Sequence, residues 1–369
     1  MDLTANRRDL LTLATRMANV AERRGTMPVL SHVHLTAKAG QLTMAATDLY
    51  LGLTGSIPAD ITTDGSLAVP AKDFVERVKN MPDGPITLTE KGDSLTFKAK
   101  GSARRYTVRC LPGDDFPPLS KVDEGAPSYS LPAATIAKMI AHTIFSVSTD
   151  ETRAHLNSAL FEWEGETVRM VSTDGHRMSK FDVSVPGKVA STSMLIPLKA
   201  VGELRRMVDG TEGDITITQS GSSAFFTLDG LTFSVKLVDA KFPPYAQVIP
   251  KETGHIAKVS RADLLDAVRA VSVAASERTS GVTMSLAKGK LLLKSESPDH
   301  GDGVDEMAVD YAGPKMAIGF NAKYLVDILG ALTAEDVEIG ATGELDPIVV
   351  RAAGDDSFLA IVMPMRVEQ

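Results

Sequence analysis

With a single cysteine, Cys110, in 369 residues, the chain cannot close a disulfide within itself, which points to a reducing compartment. No apolar run approaches the roughly 18 residues needed to cross a bilayer. The opening Met1-Asp2-Leu3-Thr4-Ala5-Asn6-Arg7-Arg8 lacks the apolar core of a signal peptide. A cytoplasmic setting with no membrane partner is expected. Motifs that carry chemistry are equally scarce: there is no Walker A, no Cys-x-x-Cys, no His-x-x-x-His and no GxGxxG after a strand. The acid-rich run Pro298–Glu306 fails the EF-hand register and reads as a solvated hairpin loop. Asp174 and His176 lack a nucleophile and an orienting partner, so no catalytic residue, metal or cofactor is expected. Cys110 lies in an alternating strand pattern and reads as a buried, inert thiol.

What the chain has is repetition. Phe116-Pro117-Pro118 returns as Phe242-Pro243-Pro244, an offset of 242 − 116 = 126. Each copy closes a strand-like run, Tyr106–Leu111 and Phe233–Val238, and a third such run, Phe358–Pro364, lies near the C-terminal end. Gly40–Met44 recurs as Gly165–Met170 and Gly289–Leu293, offsets of 125 and 124. A unit of this size is too long for a solenoid repeat and long enough for a domain with its own core. Polar, breaker-rich linkers fall at Ser120–Ala126 and Pro250–Gly254, giving expected domains over 1–122, 127–250 and 254–369. Each carries two helical patterns among roughly eight short alternating runs, which predicts an α+β domain with antiparallel sheets.

The helical patterns cover 7–24, 71–80, 132–142, 198–208, 260–274 and 321–331, with Asn321 a predicted N-cap. Leu10, Leu13, Ala14, Met17 and Ala21 form one apolar face, and Arg8, Arg16 and Arg23 stack along another. Lys72 and Lys79, then Lys199 and Arg206, repeat the seven-residue step. These six segments carry +7 between them, leaving −15 elsewhere in a chain whose net charge is −8. Such a distribution suits cationic helices that meet an anionic partner; solvated faces of ordinary amphipathic helices are the other reading.

Two local features stand out. Thr173-Asp174-Gly175-His176-Arg177 predicts a tight Asp-Gly hairpin with positive φ at both central positions. Ile361-Val362-Met363-Pro364-Met365-Arg366 is an apolar, Met-containing run, read either as a core edge strand or as one wall of an adaptable apolar groove.

Together these residues resemble the bacterial sliding-clamp family, the beta subunits of DNA polymerase III. The resemblance covers essentially the whole chain. It rests on Thr26–Leu30, Thr47-Asp48-Leu49, Thr173–Arg177, Lys236–Asp239 with Phe242-Pro243, Gly319-Phe320-Asn321 and Met363–Arg366. It implies three DNA-clamp domains, each with two helices inside and antiparallel sheets outside, closing as a six-domain ring in a head-to-tail homodimer. A hole of roughly 35 Å for duplex DNA has an inner circumference on the order of 110 Å, and two packed helices span about 20 Å, so six domains suffice.

The resemblance implies a non-catalytic processivity factor that binds double-stranded DNA without sequence preference. Its expected partners, recruited through short linear motifs, are the replicative polymerase alpha subunit, the clamp loader, and other polymerases and repair proteins. Arg24 matches a DNA-contacting position and joins Arg8, Arg16, Arg23, Lys72, Lys79, Lys199 and Arg206 as expected DNA-binding residues. The implied peptide pocket comprises Leu156, Thr173, Gly175, His176, Arg177, Met178, Pro243, Val248, Val362, Met363, Pro364, Met365 and Arg366. Ala154 and His155 stand where relatives often carry two tyrosines, and Gln247 where a basic residue is frequent. A DNA-independent protein-binding scaffold is the alternative that the residues alone leave open.

Overall fold

Among the described residues six α-helices form where the 3.6-residue pattern places them: α1 (Arg7–Val20), α2 (Ala71–Lys79), α3 (Ala133–Thr143), α4 (Leu198–Val208), α5 (Arg261–Ser272) and α6 (Ala322–Ala331). The computed structural model describes residues 1–22, 25–252 and 254–366. Equivalent helices begin 133 − 7 = 126 and 261 − 133 = 128 residues apart, and 198 − 71 = 127 and 322 − 198 = 124 apart. The repeat read from sequence is therefore a repeat of structure.

Local chemistry sets the helix ends. Asn6 and Asn321 accept from the amides of Arg8 and Lys323 at 2.8 and 2.9 Å, so the predicted cap at Asn321 forms. The first helical pattern overruns its helix: Ala21 leaves with ψ 136°, and the Glu22 amide bonds Leu30 O at 2.8 Å. Arg23 and Arg24 lie outside the described residues. In α1, Leu10, Leu13, Ala14 and Met17 are buried, and the helix packs on the sheet strands Gln41–Thr47 and Leu51–Pro58.

An arginine at the first position of α1 fastens that helix to α2. The Arg7 guanidinium donates to Val78 O (3.1 Å), Lys79 O (2.6 Å) and Asp83 (2.6 Å), satisfying carbonyls that the end of α2 leaves open. Arg261, at the first position of α5, does the same at the end of α6, donating to Leu329 O (3.2 Å) and Ala334 O (3.0 Å).

Among the described residues the strands make four antiparallel sheets in two compact units. One unit, Met1–Ala134 with Gly202–Leu237, holds a five-stranded and a nine-stranded sheet. The other, Thr135–Val201 with the described residues after Leu237, holds a six-stranded and a four-stranded sheet. The middle repeat contributes to both, because its strands complete a sheet begun by each neighbour. Leu231–Lys236 pairs with Leu51–Pro58 of the first repeat, Val235 facing Leu51. Arg177–Pro197 pairs with Asp355–Val362 of the third, Arg177 facing Val362.

Two sequence expectations change. The acid-rich Pro298–Glu306 is mostly strand rather than loop: Gly301–Ala308 forms the edge of the four-stranded sheet, where exposed acidic side chains are tolerated and discourage indiscriminate pairing. Cys110 sits between two strands and is only half-buried, yet desolvation pushes its thiol up to about 12, so it stays protonated and unreactive.

Candidate functional site

The hairpin Thr173–Arg177 joins the two long strands of the six-stranded sheet, Ser158–Thr173 and Arg177–Pro197. Thr173 Oγ1 donates to Arg177 O at 2.7 Å and accepts from the Gly175 amide at 3.1 Å. Asp174 Oδ1 accepts from the amides of His176 (2.8 Å) and Arg177 (3.0 Å). Only Gly175 takes a positive φ, 94°, so the turn is not the two-residue form expected from Asp-Gly. The Asp174 side chain supplies the acceptor that orders the loop, which removes the need for a second left-handed residue.

Arg177 is 8% exposed and heavily partnered. Its Nε donates to Asp174 at 3.0 Å and its guanidinium to Asp327 of α6 at 2.6 Å. The same group lies 4.6 Å from the Tyr324 ring and 5.7 Å from that of Phe145. The loop is thus tied to α6 by charge and stacking together. The C-terminal run follows the hairpin: the Met363 amide donates to His176 O at 2.9 Å and the Met365 amide to Gly319 O at 2.8 Å.

Beside the hairpin opens a cavity of about 240 Å³. Leu156, Thr173, Gly175, Arg177, Met178, Pro243, Val248 and Met363 line it, all expected from sequence. The remaining lining is Arg153, His155, Pro244, Tyr245, Gln247 and Ile361. Val362 is fully buried and the cavity meets Ile361 instead, since successive strand residues face opposite ways. His176, Pro364, Met365 and Arg366 do not line it. Under the cavity lies an apolar floor of Leu160, Val171, Met178, Leu195, Phe242 and Ile361. Val248 and Met363, 46% and 41% exposed, are large apolar groups left in water at its rim. The arrangement of apolar walls with a few oriented polar groups suits an apolar side chain presented by a ligand.

Tyr245 is held in this wall by a polar network that sequence reading did not find. Its hydroxyl donates to Glu162 (2.7 Å) and accepts from Arg169 (3.1 Å), while Arg169 grips Asp182 in bidentate fashion at 2.7 and 3.1 Å. Burial, aided by Glu162, pushes the Tyr245 hydroxyl up to about 12. Burial also pushes the Asp182 carboxyl up, but bonds from Arg169 and Lys180 more than offset this and hold it below the usual carboxylate range. Alternation alone could not have signalled the network, because Glu162 and Arg169 are seven residues apart on one strand and share a face only through the register shifts between Trp163 and Thr167.

The expected DNA-binding cations among the described residues stand on helices. Arg8, Lys72, Lys79, Lys199 and Arg206 are exposed and Arg16 is half-buried; Arg23 and Arg24 lie outside the described residues. Lys72 and Lys79 line an open groove of about 700 Å³ along α1 and α2, with Glu22 and Glu76 on the same lining. Arg16 and Arg206 share a small cleft with Asn19 and Glu203, and Arg206 pairs with Glu203. Among the described residues no cluster of His, Cys, Asp and Glu side chains is placed to hold a metal ion, and no helix is long and apolar enough to cross a membrane.

Three family models match successive parts of the chain. The N-terminal, central and C-terminal domains of the DNA polymerase III beta subunit match residues 1–120, 130–244 and 246–366. The chain belongs to the DNA polymerase III beta subunit family. It is 32% identical to the beta sliding clamp of Pseudomonas putida over 368 residues, covering 99% of this chain and 100% of that one. To the beta sliding clamp of Escherichia coli K12 it is 29% identical, with the same coverage. The crystal structure of the Pseudomonas aeruginosa DNA polymerase III subunit beta superposes with a TM-score of 0.94 at 31% identity over the whole of both chains. That of the Bartonella birtlesii clamp bound to griselimycin does so at 0.94 and 33%.

Proposed function

We propose that the protein is a DNA sliding clamp, a non-catalytic processivity subunit that encircles duplex DNA in the cytoplasm and tethers replication and repair proteins to it. Its domains span 1–122, 127–250 and 254–369, and two chains close head to tail. The observation that carries this reading is the rule by which sheets continue from repeat to repeat. Leu51–Pro58, the start of Arg177–Pro197 and Gly301–Ala308 are equivalent, at 177 − 51 = 126 and 301 − 177 = 124. So are Arg105–Arg109, Leu231–Lys236 and Asp355–Val362, at 231 − 105 = 126 and 355 − 231 = 124. The first set pairs with the next member of the second set at both junctions, which leaves Gly301–Ala308 and Arg105–Arg109 as sheet edges. One edge carries Asp302, Asp305 and Glu306, the other Arg105 and Arg109, so a second copy offers each edge an oppositely charged partner. Val304 and Val273, 55% and 79% exposed, would be covered by the same contact.

A closed ring holds DNA by topology, so its cationic helices need only weak, wet phosphate contacts that permit sliding. The hairpin cavity takes short linear peptides ending in apolar residues, and a polymerase tethered there stays at high effective concentration at the primer end. The reading is tested by retention on circular DNA. Protein loaded on a closed circle should stay bound through gel filtration and leave when the circle is cut. Loss that does not depend on cutting would leave a scaffold indifferent to DNA topology.

A further inference from the structure

The fold builds the hairpin cavity twice. Thr47–Leu51, at the junction of the first and second repeats, repeats Thr173–Arg177 bond for bond. Thr47 Oγ1 donates to Leu51 O (2.6 Å) and accepts from the Leu49 amide (2.9 Å). Asp48 Oδ1 accepts from the amides of Tyr50 (2.9 Å) and Leu51 (2.7 Å). The crossing bond recurs as well: the Lys236 amide donates to Tyr50 O at 2.8 Å, as the Met363 amide does to His176 O. Even the floors correspond, Ala45, Ala68 and Phe116 standing where Val171, Leu195 and Phe242 stand. Beside this first hairpin lies a cavity of about 280 Å³.

Its chemistry is inverted. Where the second cavity has Ile361 and Met363, the first has Ser234 and Lys236, and Ser120, Ser222 and Ser223 add further hydroxyls. Gly52 stands at the position of Met178, and a Cβ there would lie 2.5 Å from Ser234 Oγ, so the serine hydroxyl can approach this strand because the residue is glycine. Leu49 holds φ at +76°, a left-handed conformation that strains a side chain, and Gly175 holds the matching position without that strain. The strained turn presents Leu49 and Tyr50 to solvent at 53% and 65% exposure, and Lys236 Nζ lies 5.8 Å from the Tyr50 ring centre.

We propose that this first-junction cavity is a second peptide site, selective for an acidic linear segment. A carboxylate of the segment meets Lys236 and the serine hydroxyls, and a neighbouring apolar side chain packs on Leu49 and Tyr50. The inference rests on the peptide reading of the second-junction cavity, from which it takes the class of ligand; the lysine and hydroxyls set the charge. A protein engaging the ring through two motifs, one apolar and one acidic, would gain avidity without a tighter contact at either.

Methyl-resolved NMR of the full-length protein, labelled at leucine and valine, tests it with two probes. The acidic peptide acetyl-Gly-Leu-Asp-Glu-Asp-amide should move the methyls of Leu49, Leu119 and Val235 and leave Leu156 and Val248 in place. Lys236→Glu should weaken that binding about tenfold or more, the usual scale for a charge-assisted hydrogen bond, whereas Lys236→Arg should retain it. Gly52→Ala, whose Cβ displaces the Ser234 hydroxyl, should weaken it; should that variant fail to fold, the surface change at Lys236 still decides. Unmoved methyls, indifference to Lys236→Glu, or the same shifts produced by equimolar inorganic phosphate would overturn the proposal. The second probe, acetyl-Gly-Ser-Leu-Leu-Phe, should move Leu156 and Val248. If it does and the acidic peptide fails, the first-junction proposal alone falls; if neither peptide moves its methyls, the peptide reading falls and takes this proposal with it.

Discussion

Arg177 shows how much one side chain can organise. It is nearly buried between Asp174 and Asp327, with Tyr324 stacked against it. Arg177→Ala would leave two carboxylates facing each other without a cation, and should cost about 2–3 kcal/mol in urea unfolding, given the partial exposure of both acids. Peptide affinity should fall with it, because the hairpin loses its tie to α6. Met363→Ala removes only a rim contact; calorimetry with an apolar-ended peptide should show roughly five- to tenfold weaker binding and unchanged stability. His176 lies outside the cavity lining, so His176→Ala should weaken binding less than Met363→Ala does. Three histidines add a pH dependence. Desolvation lowers His32, His34 and His142 below the ordinary 6.5, and His142 is packed 4.7 Å from Phe181 with Nδ1 2.7 Å from Lys138 O. Each binds its proton more readily in the unfolded chain, so unfolding takes up protons. Their contribution is fully present above 6.5 and is lost as pH falls below it. Chemical-denaturation midpoints should therefore drop as the pH falls below 6.5, and less steeply in His142→Phe.

At the scale of elements, Arg7 and Arg261 each fasten one helix of a pair to the end of the other. Arg7→Ala should cost about 1–2 kcal/mol and speed amide exchange at the end of α2, where the carbonyls of Val78 and Lys79 lose their donor. Replacing Lys72 and Lys79 by glutamate should weaken DNA binding and flatten its salt dependence by a slope of about 2, if both meet phosphate. An unchanged slope would mark them as solvated cations. Helices were the legible part of the sequence, because their apolar periodicity is local: the starts of α1, α2 and α6 agree with the pattern to within a residue. The end of α1 was not, since Ala21 and Glu22 fit a helix and leave it only because Glu22 bonds Leu30. Sheet continuity was invisible for a related reason. Nothing near Leu51 announces that Val235 will lie opposite it, and no alternation rule tells Ile361 from Val362 until the strand's two faces are known. The hairpin at Thr173–Arg177 was legible as a turn, its hydrogen-bond pattern was not, and its repetition at Thr47–Leu51 emerged only from the bonds.

For the whole molecule, the decisive quantity is how many chains complete the pattern of sheets. Light scattering at micromolar concentration should give twice 39.3 kDa. Reversing the acidic edge with Asp302→Lys and Asp305→Lys should lower that mass toward one chain. Adding Arg105→Glu and Arg109→Glu to the same chain should restore association, because opposite charges then face again. A single-chain mass for the unaltered protein would remove the ring as its resting state.

The same sheets set a timetable for synthesis. Leu51 waits for Val235, 184 residues later, and Arg177 for Val362, 185 residues later. At about 5–20 residues per second, each waiting strand spends roughly 10–40 s on the ribosome with its outer hydrogen-bonding row unfilled. The first half of Leu51–Pro58 is buried once paired, so a nascent chain halted before residue 231 displays an apolar edge with no mate. The arrangement that joins the repeats without a seam therefore makes the incomplete chain a client for whatever guards strand edges during translation.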